Sequence, residues 1–116
     1  MRTSNEACLR FTDQENLAET INAALAAHCK DQRWEGDDLV LELESSRAVI
    51  RPVPGMLWLR VDAVDLLTCI GTKMLLESAL RTHRDDAPRC VLWMQADEEP
   101  FAAVRAIVKS GQITSC

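Results

Sequence analysis

Between residues 39 and 61 apolar residues recur at alternate positions, the period of a β-strand with one covered face. Leu39-Val-Leu-Glu-Leu-Glu44 sends Leu39, Leu41 and Leu43 to one side. Ser45-Ser46 and Pro52-Val-Pro-Gly55 carry turn chemistry, so Arg47-Ala-Val-Ile-Arg51 and Met56-Leu-Trp-Leu-Arg-Val61 read as two further strands. A two-residue first turn sets Glu44 opposite Arg47, Glu42 opposite Val49 and Leu41 opposite Ile50. A four-residue second turn sets Val49 opposite Trp58 and Ile50 opposite Leu57. Both registers keep every Leu and Ile on one side, which predicts a three-stranded antiparallel meander.

The flanks read as helices. Thr12-Asp13-Gln14-Glu15 has the form of a capping box, and Leu17, Ile21, Ala24, Leu25 and His28 share one stripe of a helix expected to end near Lys30. Gly36-Asp37-Asp38 then supplies turn chemistry. After the meander, Asp62 or Asp65 caps a long helix to about Arg81, and a polar loop containing Pro88 follows. Cys90-Val-Leu-Trp-Met-Gln95 is apolar on both faces, as in a strand covered on both sides. Asp97-Glu98-Glu99-Pro100 is expected to open a last helix, with acids at the positive end of its dipole and Pro at its first position. Phe101, Val104 and Val108 form its stripe, and Gly111 fits the residue past its end. The order α-β-β-β-α-β-α predicts an α+β fold, an antiparallel sheet with helices packed on it. The 116 residues make one domain, with an ordered core over 12–110 and loose termini at 1–10 and 112–116.

Composition narrows the function classes. A hydrophobic content of 47% with 27% charged residues is that of a globular chain. The net charge of −5 disfavours nucleic acid, and with no Tyr there is little material for base stacking. Residues 1–10 lack an apolar signal core. The most apolar stretch, Val61 to Leu80, contains Asp62, Asp65, Lys73 and Glu77, which a membrane span does not tolerate. Five cysteines (Cys8, Cys29, Cys69, Cys90 and Cys116) form no CxxC pair, so they read as free thiols of a reducing cytoplasm rather than disulfides or a zinc site. No phosphate-cradling glycine loop, GxSxG or HExxH occurs, so neither cofactor nor metal is expected.

Two places hold more apolar surface than one core needs. On the long helix, Leu67, Ile70, Gly71, Met74, Leu75 and Ser78 share a face expected to pack on the sheet. Cys69, Leu76 and Leu80 lie opposite, with Ala79 at the border, and predict a homodimer face. Trp58 falls beside Val49 and Met56 among Arg47, Arg51 and Arg60, a surface suited to a protein partner or an anionic ligand unless the last helix covers it. His28-Cys29 is the candidate for a thiol- or metal-dependent enzyme, which requires His28 or His83 to meet a thiol in space. His83, beside Arg84, Asp85 and Asp86, reads as solvated, and Asp97-Glu98-Glu99 as dipole capping. The chain therefore reads as a non-catalytic, cytoplasmic interaction module that pairs with itself and possesses no nucleic-acid or membrane surface.

From Leu17 to Trp93 the sequence also resembles a known family. Ser46-Arg-Ala-Val-Ile, Leu57-Trp-Leu-Arg-Val-Asp-Ala-Val-Asp65, the long helix to Leu80 and Val91-Leu-Trp93 are similar to a small uncharacterised bacterial family, found alone or fused to siderophore-interacting flavin reductases. Where that family carries His-rich helix endings, this chain has His28-Cys-Lys and Ala79-Leu-Arg-Thr-His83. In size, acidity, element order and two-faced helix it also resembles type III secretion chaperones. That resemblance implies a homodimer formed through the second helix and holding an effector segment in extended form.

Overall fold

The computed structural model describes residues 2–11, 13–84 and 91–111. Strand β1 (Thr3–Arg10) leads into α1 (Gln14–Ala24) and a 3₁₀ turn (Ala26–His28). The strands β2 (Asp31–Glu35), β3 (Asp38–Glu42), β4 (Ser46–Val53) and β5 (Met56–Ala63) follow as a meander. Helix α2 (Leu66–His83), the short β6 (Met94–Gln95) and α3 (Ala102–Ser110) complete the described chain. The fold is α+β, a single antiparallel sheet of six strands in the order β2-β3-β4-β5-β1-β6.

Two strands were not expected. Thr3–Arg10, read as a loose terminus, is β1 and sits between β5 and β6 inside the sheet. Asp31–Glu35 is the edge strand β2. It is joined to β3 through Gly36, whose φ of 62° suits the first central position of a two-residue hairpin turn. The meander is present with its faces as expected, but both registers differ by two residues. Leu41 pairs with Ala48 and Ile50 with Leu39, because the two-residue turn is Glu44-Ser45, one position earlier than expected, and closes with Leu43 N–H donating to Ser46 C=O. Ile50 pairs with Leu59, because Pro54-Gly55 alone makes the second turn. A shift of two conserves side-chain parity, so the covered face is unchanged.

That covered face carries Leu39, Leu41, Ala48, Ile50, Leu57, Leu59 and Val61, with Ala7 and Leu9 of β1 alongside. Against it pack Leu17, Ala18, Ile21 and Leu25 of the α1 segment, and one side of α2. Helix α1 stops at Ala24, short of Lys30, and its continuation leaves Ala24 and His28 exposed. Of the expected Thr12–Glu15 capping box, Thr12 and the Glu15 side chain lie outside the described residues, and α1 opens after Asp13, whose side chain makes no capping bond. Cys90, Cys116, Pro88 and the 112–116 terminus also lie outside the described residues. The strand expected over 90–95 is reduced to Met94–Gln95. Beside it, Trp93 packs toward α2, its indole N–H donating to Glu77 (3.1 Å) and Lys73 lying over its ring (5.5 Å).

Candidate functional site

The sheet face bearing Trp58 is not a free surface. Helix α3 lies across it and forms a second, smaller core from Cys8, Val40, Val49, Phe101 and Val104, with Met56, Trp58, Met94 and Val108 packed around them. The Trp58 and Phe101 rings are 5.7 Å apart at an interplanar angle of 49°. The ligand surface expected at Trp58, Val49, Arg47, Arg51 and Arg60 is therefore corrected. Val49 is buried under the helix, and each arginine already has carboxylate partners. Arg47 pairs with its cross-strand neighbour Glu42 (2.7 Å). Arg51 forks onto Asp38 (2.6 and 2.9 Å) while its guanidinium covers the Phe101 ring (4.8 Å).

Arg60 is buried and organises a network absent from the sequence reading. β1 pairs with β5 so that Glu6 faces Arg60 and Ser4 faces Asp62. Arg60 donates to Glu6 Oε2 (2.5 Å), forks onto both oxygens of Asp62 (3.0 Å each), and reaches the carbonyls of Asp97 (2.6 Å) and Glu99 (3.5 Å). Ser4 donates to Asp62 (2.5 Å). Glu6 is fully buried and also accepts the backbone N–H groups of Phe101 (2.5 Å) and Val104 (3.3 Å). These are unsatisfied donors at the start of α3, so the carboxylate that complements this dipole comes from β1. Asp97-Glu98-Glu99 lies before the helix, which opens at Ala102, and Pro100 precedes the left-handed Phe101 (φ 63°). This cluster joins three elements and is shielded from solvent; it is a fastening rather than an open site.

Helix α2 reverses the expected assignment of its faces. Cys69, Thr72, Leu76, Ala79 and Leu80 are buried against the sheet, so the dimer face expected at Cys69, Leu76 and Leu80 is core. The face expected to pack inward is open: Leu66, Leu67, Ile70 and Met74 are 62, 80, 42 and 63% exposed, with Val64 beside them. The reason is steric. Thr72 and Ala79 are small enough to bring the helix close to the sheet, and the Thr72 hydroxyl is satisfied by Thr68 C=O (2.9 Å) and Ser46 Oγ (2.7 Å). Of the face expected to pack inward, Leu75 alone is half-buried, at the core margin. Asp65 caps the helix by accepting Thr68 N–H (2.8 Å), which holds its carboxyl below the usual range.

Along the open stripe Leu67, Ile70, Gly71, Met74 and Ser78 follow one another, and the half-buried Glu77, paired with Arg81 (3.7 Å), borders them. Gly71 lies at its centre, and a Cβ built there meets nothing within 4 Å. Beside Gly71 an open groove of about 410 Å³ runs between α2 and the β3–β4 turn, walled by Thr68, Thr72, Leu75, Leu43, Ser46 and His28.

The remaining candidates are dispersed. His28 is exposed, and Cys29 is half-buried with its thiol pushed up by burial. Burial likewise raises Cys8 and Cys69, only partly opposed by Arg10 and Lys73 respectively. Such thiols are weak nucleophiles at neutral pH. His83 is exposed at the end of α2. Among the described residues no three His, Cys, Asp or Glu side chains gather as a metal-binding group, and no helix is long and apolar enough to cross a membrane. Compared with known proteins, the chain matches no family model, no curated protein and no solved structure.

Proposed function

We propose that the chain is a non-catalytic, cytoplasmic interaction module whose docking surface is the outer face of α2, and that its occupant is an apolar helix of a protein partner. The observation that carries this reading is the exposed row Leu66, Leu67, Ile70 and Met74. Its side chains, with Val64, present on the order of 500 Å² of nearly continuous apolar surface, toward the top of the range a monomer leaves open. The row follows the helix axis at i, i+3 and i+7, the spacing by which one helix lays its ridge into another. The raised cysteine pKa values support the non-catalytic part of the reading, since a Cys29 nucleophile needs a lowered one.

The test is a photo-crosslinking residue at Met74, compared with one at the exposed Arg105 of α3. The expected result is a discrete adduct at position 74 whose attached peptide maps to one amphipathic helix. Adducts no stronger or more defined than those at position 105 overturn the proposal.

A further inference from the structure

We infer that a second docking surface, separate from α2, lies between α1 and the β2–β3 hairpin, and that it receives an arginine side chain of a protein partner. Strand β2 is an edge of the sheet, and its Gln32 and Trp34 point to the covered side, opposite Leu41 and Leu39. Gln32 is fastened there by α1, donating to Asn22 Oδ1 (2.7 Å). Beside Trp34 the helix presents only Asn16 and Glu19, which share a face at i and i+3, and the indole stays 41% exposed. With Gly36, Asp37 and Pro52 these residues line an open groove of about 320 Å³. None of them belongs to the stripe of α2 or to the groove beside it.

The chemistry of the occupant follows from what the groove leaves unmatched. The other four aromatic rings each have a ring or cation partner: Arg84 lies over Phe11, Lys73 over Trp93 and Arg51 over Phe101, while Trp58 packs on Phe101. Trp34 has neither, nor any hydrogen bond from its indole among the described residues. Its two carboxylate neighbours are equally uncommitted. Glu19 lies on a helix without Lys or Arg, and Asp37 acts on Arg51 only through space, because Asp38 takes that guanidinium. No Lys or Arg lines the groove. An indole face flanked by unpaired carboxylates attracts a cation through both the ring quadrupole and the charges. Guanidinium suits it better than ammonium, being flat enough to stack and able to fork onto a carboxylate. Arg51 makes this pair of contacts within the molecule, forking onto Asp38 while covering Phe101 (4.8 Å). The groove repeats the acceptors of that arrangement without an arginine of its own chain. At Gly36 a Cβ would meet nothing within 4 Å, so the backbone of a partner has room to lie over the hairpin. The net charge of −5 favours the approach of a basic partner.

The experiment follows the indole and backbone N–H resonances of the full chain as an end-blocked Gly-Arg-Gly peptide is added. The comparisons are the same peptide with lysine or with uncharged citrulline in place of arginine, and methylguanidinium alone. The arginine peptide is expected to shift the Trp34 indole and the Gly36 and Asp37 amide signals to saturation. The lysine peptide and methylguanidinium are expected to bind at least about threefold more weakly, and the citrulline peptide about tenfold. Trp34→Leu, and separately Glu19→Gln combined with Asp37→Asn, should each weaken the arginine peptide about tenfold. All three positions are exposed, so urea midpoints near that of the wild type are expected. Should Trp34→Leu not fold, the carboxylate pair decides. Citrulline binding as well as arginine removes the charge, and lysine binding as well removes the guanidinium. Methylguanidinium binding as well replaces the protein partner by a small molecule. Each of these overturns the inference, as do shifts that never saturate or variants that bind like the wild type. None of these substitutions touches α2, so the Met74 crosslink tests the first surface independently.

Discussion

The outer face of the sheet and the outer face of α2 both carry more apolar surface than the main core consumes, yet only the first is closed by the chain itself. Helix α3 has nine residues, too few to be stable alone, and begins at a left-handed Phe101 that carries backbone strain. It nevertheless holds its position, because Phe101 and Val104 fill the space over Trp58 while Glu6 and Arg60 bind its first N–H groups and the carbonyls before it. The face of α2 has the apolar half of this arrangement and no buried polar anchor. Covering a surface permanently takes shape and fixed hydrogen bonds together; shape alone leaves it available for exchange with solvent or another molecule.

The contrast can be broken most forcefully at the anchor. Arg60→Met leaves Glu6 and Asp62 buried without a counter-charge and is expected to lower unfolding free energy by about 3–5 kcal/mol. Urea denaturation measures the loss, and hydrogen exchange should show α3 released; a loss below about 1 kcal/mol makes the anchor unimportant. Next come the two sides of α2. Leu76→Ala is expected to cost about 2–5 kcal/mol as a core truncation, against about 0.5 kcal/mol or less for the exposed Leu67→Ala. Equal effects contradict the assignment of inner and outer faces. Smaller still is the Glu42 contribution. Arg47 first, and Arg33 with it, hold this carboxyl below the ordinary glutamate value of 4.5 against the opposing effect of burial. The stabilisation is present at neutral pH and disappears as pH falls through the depressed value. Glu42→Gln is thus expected to cost up to about 1 kcal/mol at pH 7 and nothing once both states are protonated, checked by urea curves along a descending pH series. Least of all, Cys29 should react with a thiol reagent at pH 7 more slowly than a free cysteine, and a faster reaction reopens the enzymatic reading.

Much of the sheet was legible because parity is local. Leu39, Leu41, Ile50 and Leu59 declare their face by period two, and errors of two residues in both turns left that face untouched. The stripe Phe101, Val104 and Val108 and the Gly111 terminus of α3 were legible for the same reason. What stayed hidden depends on partners distant in sequence. Ser4 and Glu6 make β1 look like a polar tail until Asp62 and Arg60 stand opposite them, and β2 is a charged edge strand with no apolar alternation to announce it. Apolarity alone does not tell the two α2 faces apart, since Leu76 and Leu80 stand on one and Leu67 on the other. Thr72, Ala79 and Cys69 are less apolar or smaller than Leu67, Ile70 and Met74, but a close-packed helix selects for size and satisfied hydrogen bonds. The period of alternation Ala7, Leu9, Phe11 was the one signal that could have revealed β1.

The position of β1 also sets an order of events in folding. Its neighbours arrive late: Arg60 of β5 lies 54 residues downstream of Glu6, and the α3 donors that Glu6 receives lie 95 and 98 residues away. On a ribosome adding roughly 5–20 residues per second, the first strand is made early and then waits for seconds with no place to pair. Contacts so distant in sequence slow folding, because loop closure must be met before they form. The meander can assemble first; the sheet and its outer helix lock together only when the two ends of the described chain meet.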